Sequence, residues 1–401
     1  MNKHNVLFSI FAGFFVFSLA FVPAFAEKGV KGGEVKEVRV FTRDRAQAAK
    51  ALEAGCEVKK EARKTIVLAC TSGIASLLGL QEDIQAFAQE EIGEKRREGG
   101  GVTTQSASAN SQIGANTVHA AGNTGAGRKI VILDTGYNYL HPELSAASSY
   151  GGGWDFVNND ADSMDDNGHG SHVAGLITAD GVNAFAKGTA PDATVIAGKV
   201  LNAAGSGYFS DIIEGIYWAV DGPDGVTGSG DEWGADAINM SLGTGRPYTY
   251  KGFCDGVMPD LTTAIKYAVD KGVAVVSAAG NSGSAGVSIP GCISYSTTVG
   301  AVDSSDRTAS FSGRGTAVDI TAPGVSLLSA WTGSSYVYAS GTSMATPIIS
   351  AVVALIKSAH PAYLLSQAQD ALFKTAKDLG KSGKDANFGW GRVNAAGAVA
   401  Y

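Results

Sequence analysis

Four polar residues in this sequence stand beside glycine where a strand or helix begins or ends. Asp134 closes the apolar run KIVILD ahead of a Thr-Gly turn, and His169 opens the helical pattern of DNGHGSHVAGLI. Asn281 follows Gly280 after GVAVVSAAG, and Ser343 lies in SGTSMATPII. A serine hydroxyl is a weak nucleophile until a base takes its proton. An imidazole is such a base, and a carboxylate on its far nitrogen fixes the tautomer and steadies the charged form. Each residue alone has an ordinary alternative: a turn cap for Asp134, a satisfied polar residue for His169, a helix N-cap for Ser343. Together they supply nucleophile, base, orienting acid and an amide, which is the set that acyl transfer needs.

The elements that must carry them read as follows. From about residue 110, apolar strands (KIVILD, ATVIAGKV, AINMSL, GVAVVSAAG) alternate with helical stretches (SDIIEGIYWAV, LTTAIKYAVDKG). Strands apolar on both faces and separated by helices predict a mostly parallel sheet covered on both sides, a three-layer α/β/α domain over residues 112–401. Sites in such sheets lie beyond the carboxyl ends of the strands, where Asp134 and Asn281 fall. Ser343 begins a helix, and Pro347 is expected in its first turn, where N–H groups have no intrahelical partner.

Upstream, residues 27–97 read as a small α+β, ferredoxin-like unit in the order β-α-β-β-α-β. Its strands are EVKEVRVFT, CEVKK, KTIVLAC and DIQAFAQEEI, and its helices DRAQAAKALEAG and GIASLLGL. Residues 98–111, rich in Gly, Ser and Thr, read as a linker. Residues 1–26 have the order of a secretory signal: Lys3 and His4, an uncharged run from Val6 to Val22, then Ala24-Phe25-Ala26 before a cut at Glu27. The alternative is an uncleaved membrane anchor. With the leader gone, no later charge-free run is long enough to span a bilayer, so the mature form is expected to be exported and soluble.

VILDTGYNYLHPEL, DNGHGSHVAG, INMSLG, SAAGNSG and SGTSMATP resemble, in order, the motifs of the subtilisin-like serine proteases, or subtilases. The chain order Asp, His, Ser is that of this family. The resemblance runs from about residue 110 to 401 and includes NFGWGRVNAAGAV. It implies a triad of Asp134, His169 and Ser343, and an oxyanion hole of the Asn281 side chain with the Ser343 backbone N–H. It also implies a peptide-binding strand at Ser241, Leu242 and Gly243. A mostly uncharged primary pocket at Ala278, Ala279, Gly280 and Ser288 would favour large apolar side chains. Two positions depart from the family pattern: Ile348 where His is usual and Ser171 where Thr is usual. The small N-terminal unit would be a propeptide that assists folding and acts as an intramolecular inhibitor. The enzyme itself would remove it by a cut between Glu94 and Ser111. Expected partners are protein and peptide substrates, the expected state is monomeric, and catalysis needs no cofactor.

Four cysteines fit an oxidising compartment and leave three pairings open. Cys254 with Cys292 is favoured because the pair brackets the Asn281 segment, and Cys56 with Cys70 would close within the small unit. Two acidic loops offer oxygen ligands for structural Ca²⁺, Asp160, Asp162 and Asp165 in one, and Asp221, Asp224, Asp231 and Glu232 in the other. Solvated loops are the alternative. His169 and His172 lack a third ligand at zinc spacing. A net charge of −7 with no basic run excludes a nucleic-acid role. A DTG triplet also marks aspartic proteases, but the second Asp-Thr/Ser-Gly they need is absent. The remaining rival is a catalytically silent exported binding protein on the same scaffold. Location is expected to be extracellular, or periplasmic if the host has an outer membrane.

Overall fold

The computed structural model describes residues 36–88, 91–96, 105–146 and 149–401, so the leader reading of residues 1–26 lies outside the described residues. Residues 37–401 form one unit. It begins with β1 (Glu37–Thr42), α1 (Arg45–Glu53), β2 (Glu57–Glu61), β3 (Ile66–Thr71), α2 (Ser72–Leu77) and β4 (Gln81–Glu82). These strands make an antiparallel sheet in the order β2-β3-β1-β4, with Val40, Leu68, Ala48 and Ala51 buried beneath. Asp44 caps α1 by accepting from Ala46 N at 2.8 Å, and a Cys56–Cys70 disulfide closes the far end.

DIQAFAQEEI departs from the expected single strand of this sheet. β4 ends before it, and β5 (Gln85–Ala88) and β6 (Glu91–Arg96) pair elsewhere. The handover occurs at Asp83, whose buried carboxylate accepts from Arg39 Nε at 2.7 Å and from Ser210 N and Oγ at 3.0 and 2.8 Å. The acid thus binds β1 to the start of a distant helix, and the chain follows. The second half of the linker also differs: residues 105–111 belong to α3 (Gln105–Gln112), followed by α4 (Ala115–Ala120). Buried Ala109 and Asn110, whose amide donates to Lys187 O, anchor α3 despite its polar composition.

The remaining elements are β7 (Lys129–Asp134), β8 (Tyr150–Asp155), α5 (His169–Thr178), β9 (Thr194–Lys199), β10 (Ser206–Tyr208) and α6 (Phe209–Asp221). Then come β11 (Ala237–Met240), β12 (Leu242–Gly243), β13 (Thr249–Tyr250), α7 (Pro259–Asp270), β14 (Ala274–Ala278) and β15 (Val287–Ser288). The chain finishes with β16 (Thr297–Val302), β17 (Ile320–Pro323), β18 (Leu327–Ala330), β19 (Tyr336–Ser340), α8 (Thr342–Ala359), α9 (Leu365–Lys374) and α10 (Ala395–Val399).

Seven of these strands form one sheet, all parallel, in the order β17-β16-β14-β11-β7-β9-β8. Alternation along β7 sorts the core into two halves, because successive side chains of a strand face opposite ways. Ile130 and Ile132 pack with the α5 and α8 side, whereas Val131 and Leu133 pack with the α6 and α7 side. That is the three-layer arrangement. Among the described residues, only α8 is long and apolar enough to cross a membrane, and it is buried at the centre of this core. A second disulfide, Cys254–Cys292, ties the approach to α7 to the segment after β15.

Candidate active site

β7 delivers Asp134 at its last residue and α5 delivers His169 at its first. His169 Nδ1 lies 2.6 Å from Asp134 Oδ1, and both side chains are wholly buried. An ionised carboxylate only accepts, so Nδ1 carries the proton and Nε2 is left as the basic nitrogen. The turn is built for this approach. Gly168, the residue before α5, has φ +115°, and an ideal Cβ there would lie 2.3 Å from Trp331. His172, one turn on, is a different histidine: Nε2 donates to Leu327 O and Val337 O at 3.1 and 3.0 Å. Burial, with the His169 charge adding to it, holds its pKa down to about 3. It is a neutral core residue.

Ser343 is the second residue of α8. Pro347 falls in the second turn rather than the first, and its missing N–H is the one that would have bonded the Ser343 carbonyl. Ser241 Oγ takes that place, donating to Ser343 O at 2.9 Å, while Ser343 Oγ donates to Ser241 O at 2.7 Å. Asn239 Nδ2 orients the Ser241 hydroxyl at 2.9 Å, and Ser350 Oγ holds Asn239 Oδ1 at 2.9 Å. Ser343 is thereby fastened to the residue that leads into β12. Asn281 Oδ1 accepts from Thr342 N and Oγ1 at 3.1 and 3.0 Å, and Thr342 Oγ1 accepts from Gly280 N at 3.1 Å. The carbonyl branch of the amide is committed to the helix start.

The pocket residues lie together. Ser288 N donates to Ala279 O at 3.0 Å, and Ala278, Ala279 and Ser288 are buried. Gly280, at φ +85°, makes room: an ideal Cβ there would stand 2.2 Å from Ser288 Oγ. That hydroxyl is buried and has no hydrogen-bond partner among the described residues. Ile348 is buried in the α8 core, and Ser171 keeps the hydroxyl that Thr would supply, donating to Asp165 at 2.6 Å.

The acidic loops carry dense internal hydrogen bonding. Asp165 Oδ1 accepts from Thr135 Oγ1, Asn167 N and Gly168 N at 2.9, 3.0 and 2.9 Å, and Oδ2 from Ser171 N at 2.8 Å. Thr135 follows Asp134 and Gly168 precedes His169, so this buried acid clamps the Asp134 and His169 segments together. Buried Lys199 acts alongside, donating to Thr135 O at 2.7 Å and Asp166 Oδ1 at 2.6 Å. In the second loop Asp221 accepts from Thr227 Oγ1 and Tyr267 OH, and Asp231 from Asp224 N and Ser229 Oγ. Among the described residues no group of three acids, histidines or cysteines is arranged to hold a metal ion. Asp165→Asn sets an amide N–H against Ser171 N–H and should cost about 1–3 kcal/mol, read as a lowered thermal midpoint.

A model of the subtilase family matches residues 125–391. The chain belongs to the subtilase family. It is 38% identical over 289 residues to Subtilisin Savinase of Lederbergia lenta, covering 72% of this chain and 97% of that protein. It is 40% identical over 277 residues to the Thermophilic serine proteinase of Bacillus sp. strain AK1, covering 69% of this chain and 62% of that longer protein. Subtilisin E of Bacillus subtilis strain 168 is 40% identical over 281 residues, 68% of this chain and 66% of that protein. As a subtilase, the chain has the activity class of a serine endopeptidase, and the family match runs from just before β7 to just before α10.

Proposed function

We propose that this subtilase is made as an exported precursor, is secreted, and cuts extended protein segments through Asp134, His169 and Ser343. The reading rests above all on the buried Asp134–His169 contact of 2.6 Å, taken with a serine at the start of α8 that is tied to Ser241. Ser343 Oγ bonds to the substrate carbonyl carbon as its proton passes to His169 Nε2. The C–N bond then breaks, and His169 returns that proton to the departing amine. Water repeats the sequence on the acyl-enzyme and frees Ser343. The negative oxygen formed at each attack is held by the Ser343 N–H, in the first turn of α8 where N–H groups have no intrahelical partner, and by Asn281 Nδ2.

Binding would come from β12, whose edge accepts an extended chain as a further strand, and from a primary pocket of Ala278, Ala279, Gly280 and Ser288 suited to large uncharged side chains. Cleavage profiling on a peptide library tests this, and equal turnover of acidic residues at that position would contradict it. Asn281→Ala should lower kcat by about 100- to 1000-fold with little change in KM, the range known for one such amide donor in subtilisin itself. Steady-state kinetics on a peptide amide gives the comparison. Residues 27–97 would act as the propeptide, since Lys60 Nζ binds Asp211 at 2.6 Å and Lys64 N binds Glu214 at 2.5 Å, both on α6. A fluorophosphonate that labels Ser343 in the exported protein supports the enzyme reading. Failure to label it would favour the silent binding protein.

A further inference from the structure

Resting on that reading, we propose that Ser241 is a positioning residue for the nucleophile through its side chain. Its hydroxyl supplies the hydrogen bond that Pro347 removes from the start of α8, and a buried relay from Ser350 through Asn239 aims it.

In an α-helix the carbonyl of each residue accepts from the N–H four residues on. For Ser343 that residue is Pro347, which lies inside α8 and has no N–H to give. Ser343 is wholly buried, and a buried carbonyl left without a donor carries a penalty. The Ser241 hydroxyl removes that penalty by donating to Ser343 O at 2.9 Å. Ser241 stands between β11 and β12, so the start of α8 is held from outside the helix, by the strand beneath it. Holding this carbonyl fixes the backbone from which the Ser343 Oγ and N–H project.

A hydroxyl has one proton and is free to rotate, so its direction has to be set. Asn239 Nδ2 donates to Ser241 Oγ at 2.9 Å, which occupies a lone pair and leaves the Ser241 proton for Ser343 O. Ser350 Oγ, about two turns further along α8, donates to Asn239 Oδ1 at 2.9 Å and keeps the donor branch of that amide turned to Ser241. The three donors therefore point one way, from Ser350 to Asn239 to Ser241 to Ser343 O. All four residues are wholly buried. Asn239 pairs on β11 with Ile132 and Val276 of the neighbouring strands, members of an apolar layer in which an amide is costly unless its hydrogen bonds are made. What the amide adds there is the direction of one proton.

Ser241→Ala removes the hydroxyl and keeps the backbone edge that leads into β12. In the processed enzyme acting on a short peptide amide, kcat should fall by about tenfold or more while KM stays within about twofold, because one buried acceptor is orphaned beside the reacting group. Adding Pro347→Ala restores an N–H four residues after Ser343 and should return most of the lost kcat. Asn239→Asp provides a second route if Ser241→Ala does not fold. An ionised carboxylate only accepts, so it draws the Ser241 proton away from Ser343 O, and it should show the same loss and the same recovery on adding Pro347→Ala. A hydroxyl that merely stabilised the fold would lower the thermal midpoint without this rescue. Parental kcat in Ser241→Ala, a loss confined to KM, or no recovery with Pro347→Ala overturns the inference and leaves the protease reading intact. A parent enzyme that cleaves no peptide sinks both.

Discussion

Ser343→Ala should reduce kcat by about a million-fold and cause the uncut precursor to accumulate. The magnitude is that measured for loss of the nucleophile in subtilisin, where removing one triad member costs nearly as much as removing all. The present geometry explains why no neighbour would compensate. The neighbouring Ser241 Oγ is turned to Ser343 O and held there by Asn239. Alanine keeps the backbone N–H at the start of α8, so the oxyanion site persists and a small residual rate over water is expected. Intact mass of the secreted protein and turnover of a peptide amide give the two readings. Normal maturation of the alanine variant would mean that another protease performs the cut.

The second large effect is expected from Asp134→Asn. The 2.6 Å contact forces the proton onto His169 Nδ1. An asparagine of the same shape can present its N–H₂ there instead, which drives the ring to the tautomer whose Nε2 is protonated and no longer basic. Such a replacement costs about 10,000-fold in kcat in the chymotrypsin-type triad. Thr135 N donates at 2.7 Å to the same Oδ1 that faces His169, so it favours an asparagine oxygen there, opposes this flip and makes the figure an upper bound. Kinetics across pH separates this from misfolding. The loss should lessen at high pH, where the ring tautomers and hydroxide regain a route, while KM stays near that of the parent.

The large sheet and the Asp134–His169 contact were legible because both rest on local signals. Val131 and Leu133 serve one helical layer and Ile130 and Ile132 the other, so KIVILD must be apolar throughout, and the single acid at its end is conspicuous. The role of Asp165 was not legible. A carboxylate in an acidic loop looks the same in sequence whether it faces an ion or a ring of N–H groups. Only the folded turn shows Thr135, Gly168 and Ser171 converging on it. β5 and β6 were misjoined for a related reason. Alternation marks a strand but says nothing about its partner, and Asp83 redirects the chain by bonding Ser210, which lies far along the sequence. Pro347 was placed a turn too early, and the Ser241 hydroxyl that repairs its missing hydrogen bond therefore went unnoticed.

The parallel order β17-β16-β14-β11-β7-β9-β8 makes every pairing in the large sheet a contact between distant parts of the chain. Such contacts form late, after loop closure has been paid for. Asp134 stands on a middle strand, whereas Ser343 waits on a helix made only after all seven strands have been synthesised. A nascent or half-collapsed polypeptide thus carries the acid and the imidazole without the hydroxyl in range. Destructive capacity appears only when long-range assembly is finished, a safeguard written into the connectivity of the strands.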